Sequence, residues 1–478
     1  AKHQILKYQE KYCQPNEKLE LKLPWAQIIS ATAIPQYEEN VWSYEDRIDI
    51  RTSIGVIQQE ELYQISGLTA YNRKRFFSYD PVHVMNWDAP QQHNGNTVKN
   101  WKVEICVSEE MQDFKYFGGF FDPCCKDAVD TFIEVTHERY KQYLGDEFGK
   151  TIKGFFSDEV GLLSRIPWSS RVLKAYQDRF GVDLKNLLPA LFDKDFPDCD
   201  RIRYQYFDCI HKLFRGSYHE NVAKWCEKNH LMYVTEVPSM RMSTQRYSHV
   251  IGGDCCHEKL GLPLETIYDK YLHHYRSNSI SIASLARQLK KEYAMVEAFH
   301  SLGWTMTIQD AKAMIDYMGV HGINLFNFHA FYYTIDGITK HDAPPSQFLQ
   351  NPYWKYYHFL ADYTARVSAF NKLTQSVTDV AVLNPDESLW ICEGNPFHGY
   401  GYGGNDQNEK ELCEAIRNAW STICKTILFH QCAYEHLDGD LMTEGTVSDG
   451  TLTLGDARYH VLVIPPVVAI TKATAEKI

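Results

Sequence analysis

The sequence predicts an α/β protein organised around a (β/α) barrel, with a β-rich insertion before the barrel and a smaller α/β domain after it. Short apolar strands alternate with helices from about residue 119 to 372, the order that parallel crossovers require. Each of these strands ends in a polar or acidic residue, as strands do at the active edge of a barrel. Two of the strand ends, TIKGFFSDEVG at 151–161 and YAMVEAF at 293–299, carry carboxylates next to or inside apolar runs.

The first of these stretches is the one the rest of the chain serves. Residues 152–156 are apolar apart from Lys153 and Gly154, and Asp158 and Glu159 follow at the carboxyl end, where loops converge over a rigid sheet. An Asp-Glu pair at a strand end can also be a solvated loop with Asp158 as a cap. Glu297 shifts the balance, because an ionised carboxylate in an apolar strand costs several kcal/mol unless it is paired or faces a polar cavity. Two carboxylates from separate strands at one mouth suit glycoside hydrolysis, one protonating the leaving oxygen and the other activating water or attacking the anomeric carbon.

Taken in order, residues 1–23 read as a helix and a charged turn stopped by Pro15, a barrel helix or linker. From 24 to 118, pieces such as AQIISATAIP, DRIDIRTSIGV and NWKVEICV alternate with polar turns and lack the helices that parallel crossovers need. Asp122-Pro123 opens a helix with Val129, Phe132, Ile133 and Tyr140 at helical spacing. Ser169 or Ser170 caps RVLKAYQDRFG, which closes on Gly181. A helical stretch over 202–228 leads into LMYVTEVPS with Glu236, and HVIGGD repeats the device with Asp254. Leu262–Ile267 offers one more candidate strand. A helix over 278–290 precedes the Glu297 strand, another over 308–318 follows it, and HGINLFNFHAF brings Asn324, Asn327 and His329. After an aromatic-rich helix reaching about Phe370, the strands DVAVL and HVLVI flank a helix at 411–424 and mark the second α/β domain, 373–478, which ends early.

Composition narrows the function. A formal charge of −12 and no Lys/Arg block argue against nucleic acid or an anionic membrane as partner. Thirty-one Tyr and ten Trp suit stacking on sugars, although most such side chains serve cores. Thirteen scattered Cys without metal spacing point to reduced, buried thiols and a cytoplasmic setting, with a periplasmic or secreted one left open. GYGYGG at 399–404 matches a dinucleotide fingerprint in letters but opens into NDQNEK instead of an apolar helix. His137-Glu138 sits inside a helix, where support of a neighbouring element is the ordinary account. Asp254, His257 and Glu258 in GGDCCHE could supply hard ligands to a metal, although Gly-Gly-Asp is also common turn chemistry.

The stretches FFDPCCKDAVDTFIEVTHERY, FGKTIKGFFSDEVG, VEAFHSLGW, GVHGINLFNFHAFYY and DAPPSQFLQNPYW, spanning about 119–370, together resemble glycoside hydrolase family 106, the α-L-rhamnosidase family. The resemblance implies a (β/α)8 TIM-type barrel, release of terminal L-rhamnose from plant or bacterial glycans with net inversion, and calcium dependence. It puts the catalytic pair at Glu159 and Glu297. The family's Asp-Glu-Pro reads Asp-Glu-Val at 158–160, and its Thr-Gly-His reads Thr-Glu-Val at 235–237, which bears on sugar contacts more than on hydrolysis. It also implies two barrel strands upstream of this chain and an amidotransferase-like domain of which 373–478 is a part, so the sequence is expected to be a fragment with a barrel incomplete on its N-terminal side.

These readings give a set of expectations. Glu159 and Glu297 should share one mouth within about 10 Å, as acid and base in either order. His300, Trp304, His329 and Tyr332 should line that mouth, and Asp158, Glu236, Asp254 and Asn324 should contact the sugar. No metal ligands are assigned. The alternative is a non-catalytic carbohydrate-binding or degenerate homologue, distinguished by whether both carboxylates flank an open cleft.

Overall fold

The structure, a computed structural model, describes all residues except 59–61, 68–72, 79–80, 112–119, 163, 165, 237–240, 256–261, 264, 268–277, 338–342, 394–403 and 405. It divides into two compact units, Ala1–Glu134 with Leu162–Tyr218, and Val135–Gly161 with His219–Ile478.

The first unit begins with a correction. Residues 4–13, expected as helix, form strand Gln4–Cys13, which pairs antiparallel along its whole length with Asn100–Glu110. Charged residues spaced like a helix face lose to a long-range ladder that satisfies every backbone group. Gln27–Glu38 pairs with the other edge of Asn100–Glu110, and a second sheet joins Lys18–Leu23, Pro81–Asp88 and Ile54–Gln58. Ala31, Ala33, Met85, Trp87, Trp101, Val103 and Ile105 fill the core they share, with Trp87 and Trp101 edge to face. The helix Arg171–Phe180 ends as expected on Gly181 in the left-handed conformation.

One buried charge cluster in this unit makes a testable prediction. Lys102 Nζ lies 2.5 Å from Asp193 and 3.3 Å from Glu104, whose side chain is fully buried. The Tyr8 hydroxyl lies 3.0 Å from Glu104 Oε1 and 2.8 Å from Glu10 Oε2, and a single O–H cannot donate to both. Burial pushes the Glu104 carboxyl up to about 7 against the pull of Lys102, with Asp193 reinforcing the burial. A protonated Glu104 can donate to the Tyr8 oxygen. Because the folded value lies above the ordinary 4.5, the stabilisation is complete below about pH 4.5 and is lost as pH rises through about 7. Urea unfolding at pH 5 and pH 8 should therefore show a loss that Glu104→Gln reduces by up to about 3 kcal/mol. An unchanged pH slope in the variant would count against a buried, protonated Glu104.

The second unit holds a curled parallel sheet. Its described strands run Gly154–Asp158, Met232–Glu236, Val250–Asp254, Tyr293–Ala298 and Leu325–Phe328, each paired with the next. The helices Ser279–Gln288 and Ile308–Val320 supply two of the crossovers. Thr307 caps the second of these with a reciprocal Thr-Asp310 box. Leu262–Ile267 does not add a strand, since 265–267 are helical. A smaller parallel sheet has Val380–Leu383 between Glu435–Leu437 and Val461–Val463, with helix Gln407–Phe429 packed on it through Trp420 and Cys424. Both sheets of this unit feed one core, in which Ile251, Val296, Ala298 and Ile315 are continuous with Ala381, Leu383, Leu437 and Leu441.

His137 and Glu138 prove to be supports. Glu138 accepts from Trp225 Nε1 at 2.7 Å, and His137 packs against Phe155 and Trp225 while burial pulls it down to about 4. The described cysteines are all free, and all but Cys432 are buried. No described helix is long and apolar enough to cross a membrane.

Candidate active site

Each acidic residue reaches the site because a parallel strand carries it there. Asp158 stands opposite Glu236 in register, Asp254 stands opposite Glu297, and Glu297 stands opposite Asn327, all at the carboxyl ends of their strands. The two strands that carry Asp254 and Glu297 are buried almost throughout; Ala294, Met295 and Val296 precede Glu297, so this part of the edge is held by a rigid layer. Glu236 and Glu297 are 0% and 6% exposed, and Asp158 is exposed.

Asp158, Glu236 and Glu297 form one cluster, each offering a carboxylate oxygen within 4.8 Å of the others. Like charges this close repel strongly in a partly buried setting, so the arrangement suits a shared proton or a cation. The three are hard oxygen donors. Their spacing matches the oxygen-to-oxygen distances around a divalent ion bound at about 2.3–2.6 Å. Asp254 is buried beside Glu297, and the Cys255 N–H donates to the Glu297 carbonyl at 3.1 Å. Its suggested metal partners His257 and Glu258 lie outside the described residues, as does nearly all of GYGYGG.

Glu159 takes a different course from its neighbour. Its φ of +46° is in the left-handed region, and its N–H donates to the Glu236 carbonyl at 2.8 Å. That conformation costs on the order of 1 kcal/mol for a residue with a Cβ, and it turns the chain out of the strand immediately after Asp158. Glu159 is half-buried and is not one of the three clustered carboxylates.

The loops after the Glu297 and Asn327 strands bring rings together. His300 meets His329 edge to face at 4.8 Å, and His329 meets Tyr332 at 6.0 Å. The Tyr332 hydroxyl donates to the Ala343 carbonyl at 3.2 Å, and His300 Nδ1 lies 2.9 Å from Ser301 Oγ. Trp304, on the loop after His300, is 42% exposed. Asn324 is a correction: it precedes its strand, and its amide bonds the Ala294 N–H and the Glu292 carbonyl at the amino-terminal end of the sheet, away from the carboxylates. Asn327 is the residue at the acidic edge.

Sequence reasoning missed Gln245. Its side chain is buried between Thr235 and Gly252 and ties together the two strands that carry Glu236 and Asp254. A polar stretch such as RMSTQ reads as loop, and nothing in its spacing signals burial.

No family model matches the chain, and no curated protein matches it either. Among solved structures, the rhamnosidase from Novosphingobium sp. PP1Y superposes with a TM-score of 0.61 at 14% identity, covering 100% of this chain and 58% of that one. A β-galactosidase from the psychrophilic Marinomonas ef1 superposes with a TM-score of 0.50 at 10% identity, covering 75% of this chain and 58% of that one. The chain thus spans less than two thirds of either protein, and at these identities the similarity is one of fold: it shares its α/β architecture with proteins that are glycosidases.

Proposed function

We propose that the chain belongs to a glycoside hydrolase that removes a terminal sugar from a glycoside or oligosaccharide. The observation that carries this reading is the cluster of Asp158, Glu236 and Glu297 at the carboxyl edge of a parallel sheet, whose Glu297 and Asn327 strands lead into loops carrying a row of aromatic and imidazole rings. A fold in common with a rhamnosidase makes α-L-rhamnose the first sugar to test.

In the mechanism we favour, Glu297 and Glu159 are the acid and base. Glu297 is buried at the end of an apolar strand in the cluster with Asp158 and Glu236, and we assign it the acid role from that position. Glu159 sits where the backbone leaves the strand, and we assign it the partner role from that position next to Asp158. Asp158 and Glu236 orient the reacting ring through its hydroxyls, while His300, His329 and Tyr332 pack against its apolar face. With Glu297 in the acid or base role, Asp158 and Glu236 would be the oxygens offered to a divalent cation such as calcium, which when bound would offset their charge and anchor sugar hydroxyls.

The experiment is hydrolysis of a panel of 4-nitrophenyl glycosides, α-L-rhamnoside first, with isothermal titration of the free sugars alongside. Turnover of any member supports a glycosidase. Sugar binding with no turnover across the panel would favour the carbohydrate-binding alternative instead.

A further inference from the structure

Among the described residues, the connection between the Glu236 and Asp254 strands contains no crossover helix, and the strands themselves pair at Val234 and Val250. What joins them is a buried turn, Met242–Gln245. Gln245 Oε1 accepts from the Thr235 hydroxyl at 2.8 Å and from the Gly252 N–H at 3.1 Å, and its Nε2 donates to the Gly252 carbonyl at 2.8 Å. The Thr235 hydroxyl also lies 2.8 Å from Ser248 Oγ. One amide side chain thus takes the place of missing ladder bonds, immediately before Glu236 and two residues before Asp254.

The other side of the same turn is gripped from the small sheet. Arg241, 1% exposed, donates through Nε to both oxygens of Asp438 at 2.9 and 3.1 Å, and through Nη2 to Asp438 at 2.5 Å and Glu387 at 3.2 Å. The guanidinium lies over the Trp390 ring, 5.1 Å from its centroid. Asp438 also accepts from the Ser243 N–H at 2.8 Å, so it holds the turn at two points. Burial opposes the charge on Arg241, and Asp438 and Glu387 outweigh it and keep the group cationic.

We propose that Arg241 is a positioning residue: clamped by Asp438 and Glu387, it fixes the 241–245 turn, and Gln245 passes that constraint to Thr235 and Gly252 and so to Glu236 and Asp254. The small C-terminal sheet thereby sets the geometry of the acidic edge. Only the catalytic consequence of this arrangement rests on the glycosidase reading.

Hydrogen exchange on the whole chain tests the coupling without any substrate. Asp438→Asn weakens the clamp, and Gln245→Leu cuts the relay without touching the ion pair, which keeps the test open if the first variant folds poorly. Both should raise exchange of the 232–236 and 250–254 peptides about tenfold while 325–328 is unchanged. The double variant should add little to the larger single effect, since both act on one path. Opening confined to 241–246 and 380–383, with 232–236 and 250–254 still protected, would overturn the proposal. On an aryl glycoside that the wild type hydrolyses, Asp438→Asn should lower kcat about tenfold with KM within about twofold when rates are divided by the folded fraction measured by circular dichroism, since a smaller folded fraction alone would also lower apparent kcat at constant KM. A wild type inactive on every glycoside defeats the glycosidase reading and leaves the exchange result to decide the coupling.

Discussion

Glu297→Gln is expected to lower kcat/KM for a hydrolysed aryl glycoside by about 10³-fold, within the range of general acid or base removal. The side chain is buried at the end of an apolar strand and lies with Asp158 and Glu236 in one cluster, so Gln preserves shape and removes both charge and transferable proton. Leaving groups separate the roles. If Glu297 is the acid, the variant keeps most activity on dinitrophenyl glycosides, whose departure needs little protonation, and loses it on alkyl glycosides. Glu159→Gln should then show a deficit independent of the leaving group. Equal activity of wild type and Glu297→Gln on all substrates would remove Glu297 from the mechanism.

Gly252→Ala is expected to destabilise the protein by about 3 kcal/mol or more, a large effect for one methyl group. A Cβ at this position would lie 2.1 Å from the Thr235 carbonyl oxygen and 2.6 Å from Met295 Cε. The methionine can move, but the carbonyl belongs to a strand already held by Gln245 and Ser248. The close approach of the two backbones is therefore what requires glycine here. Gly55→Ala, with nothing within 4 Å of its Cβ, is the control and should change stability by no more than about 0.5 kcal/mol. Urea denaturation of both variants measures the difference; a Gly252→Ala protein as stable as Gly55→Ala would mean that the two strands can separate at no cost.

Several features were legible in the sequence because short-range physics decides them. Apolar runs bounded by turn residues gave the strands at 154–158, 293–298 and 325–328, and Gly181 and the Thr307-Asp310 box ended or began helices where local hydrogen bonding demands it. Glu236, Asp254 and Glu297 could be picked out because a carboxylate at the end of an apolar strand needs a reason to be there. The remainder was settled by contacts between distant residues. Strand Gln4–Cys13 exists because Asn100–Glu110 lies beside it, and without that partner its charge spacing reads as helix. Asp158 and Glu159 are adjacent in sequence, yet strand pairing sets Asp158 opposite Glu236, and Glu159, in its left-handed turn, is not one of the three clustered carboxylates. Asn324 and Asn327 are interchangeable as letters, but the length of their strand puts them at opposite ends of the sheet. Arg241 meets Asp438 across 197 residues, and no local pattern encodes a buried ion pair whose partners come together only when two sheets share a core.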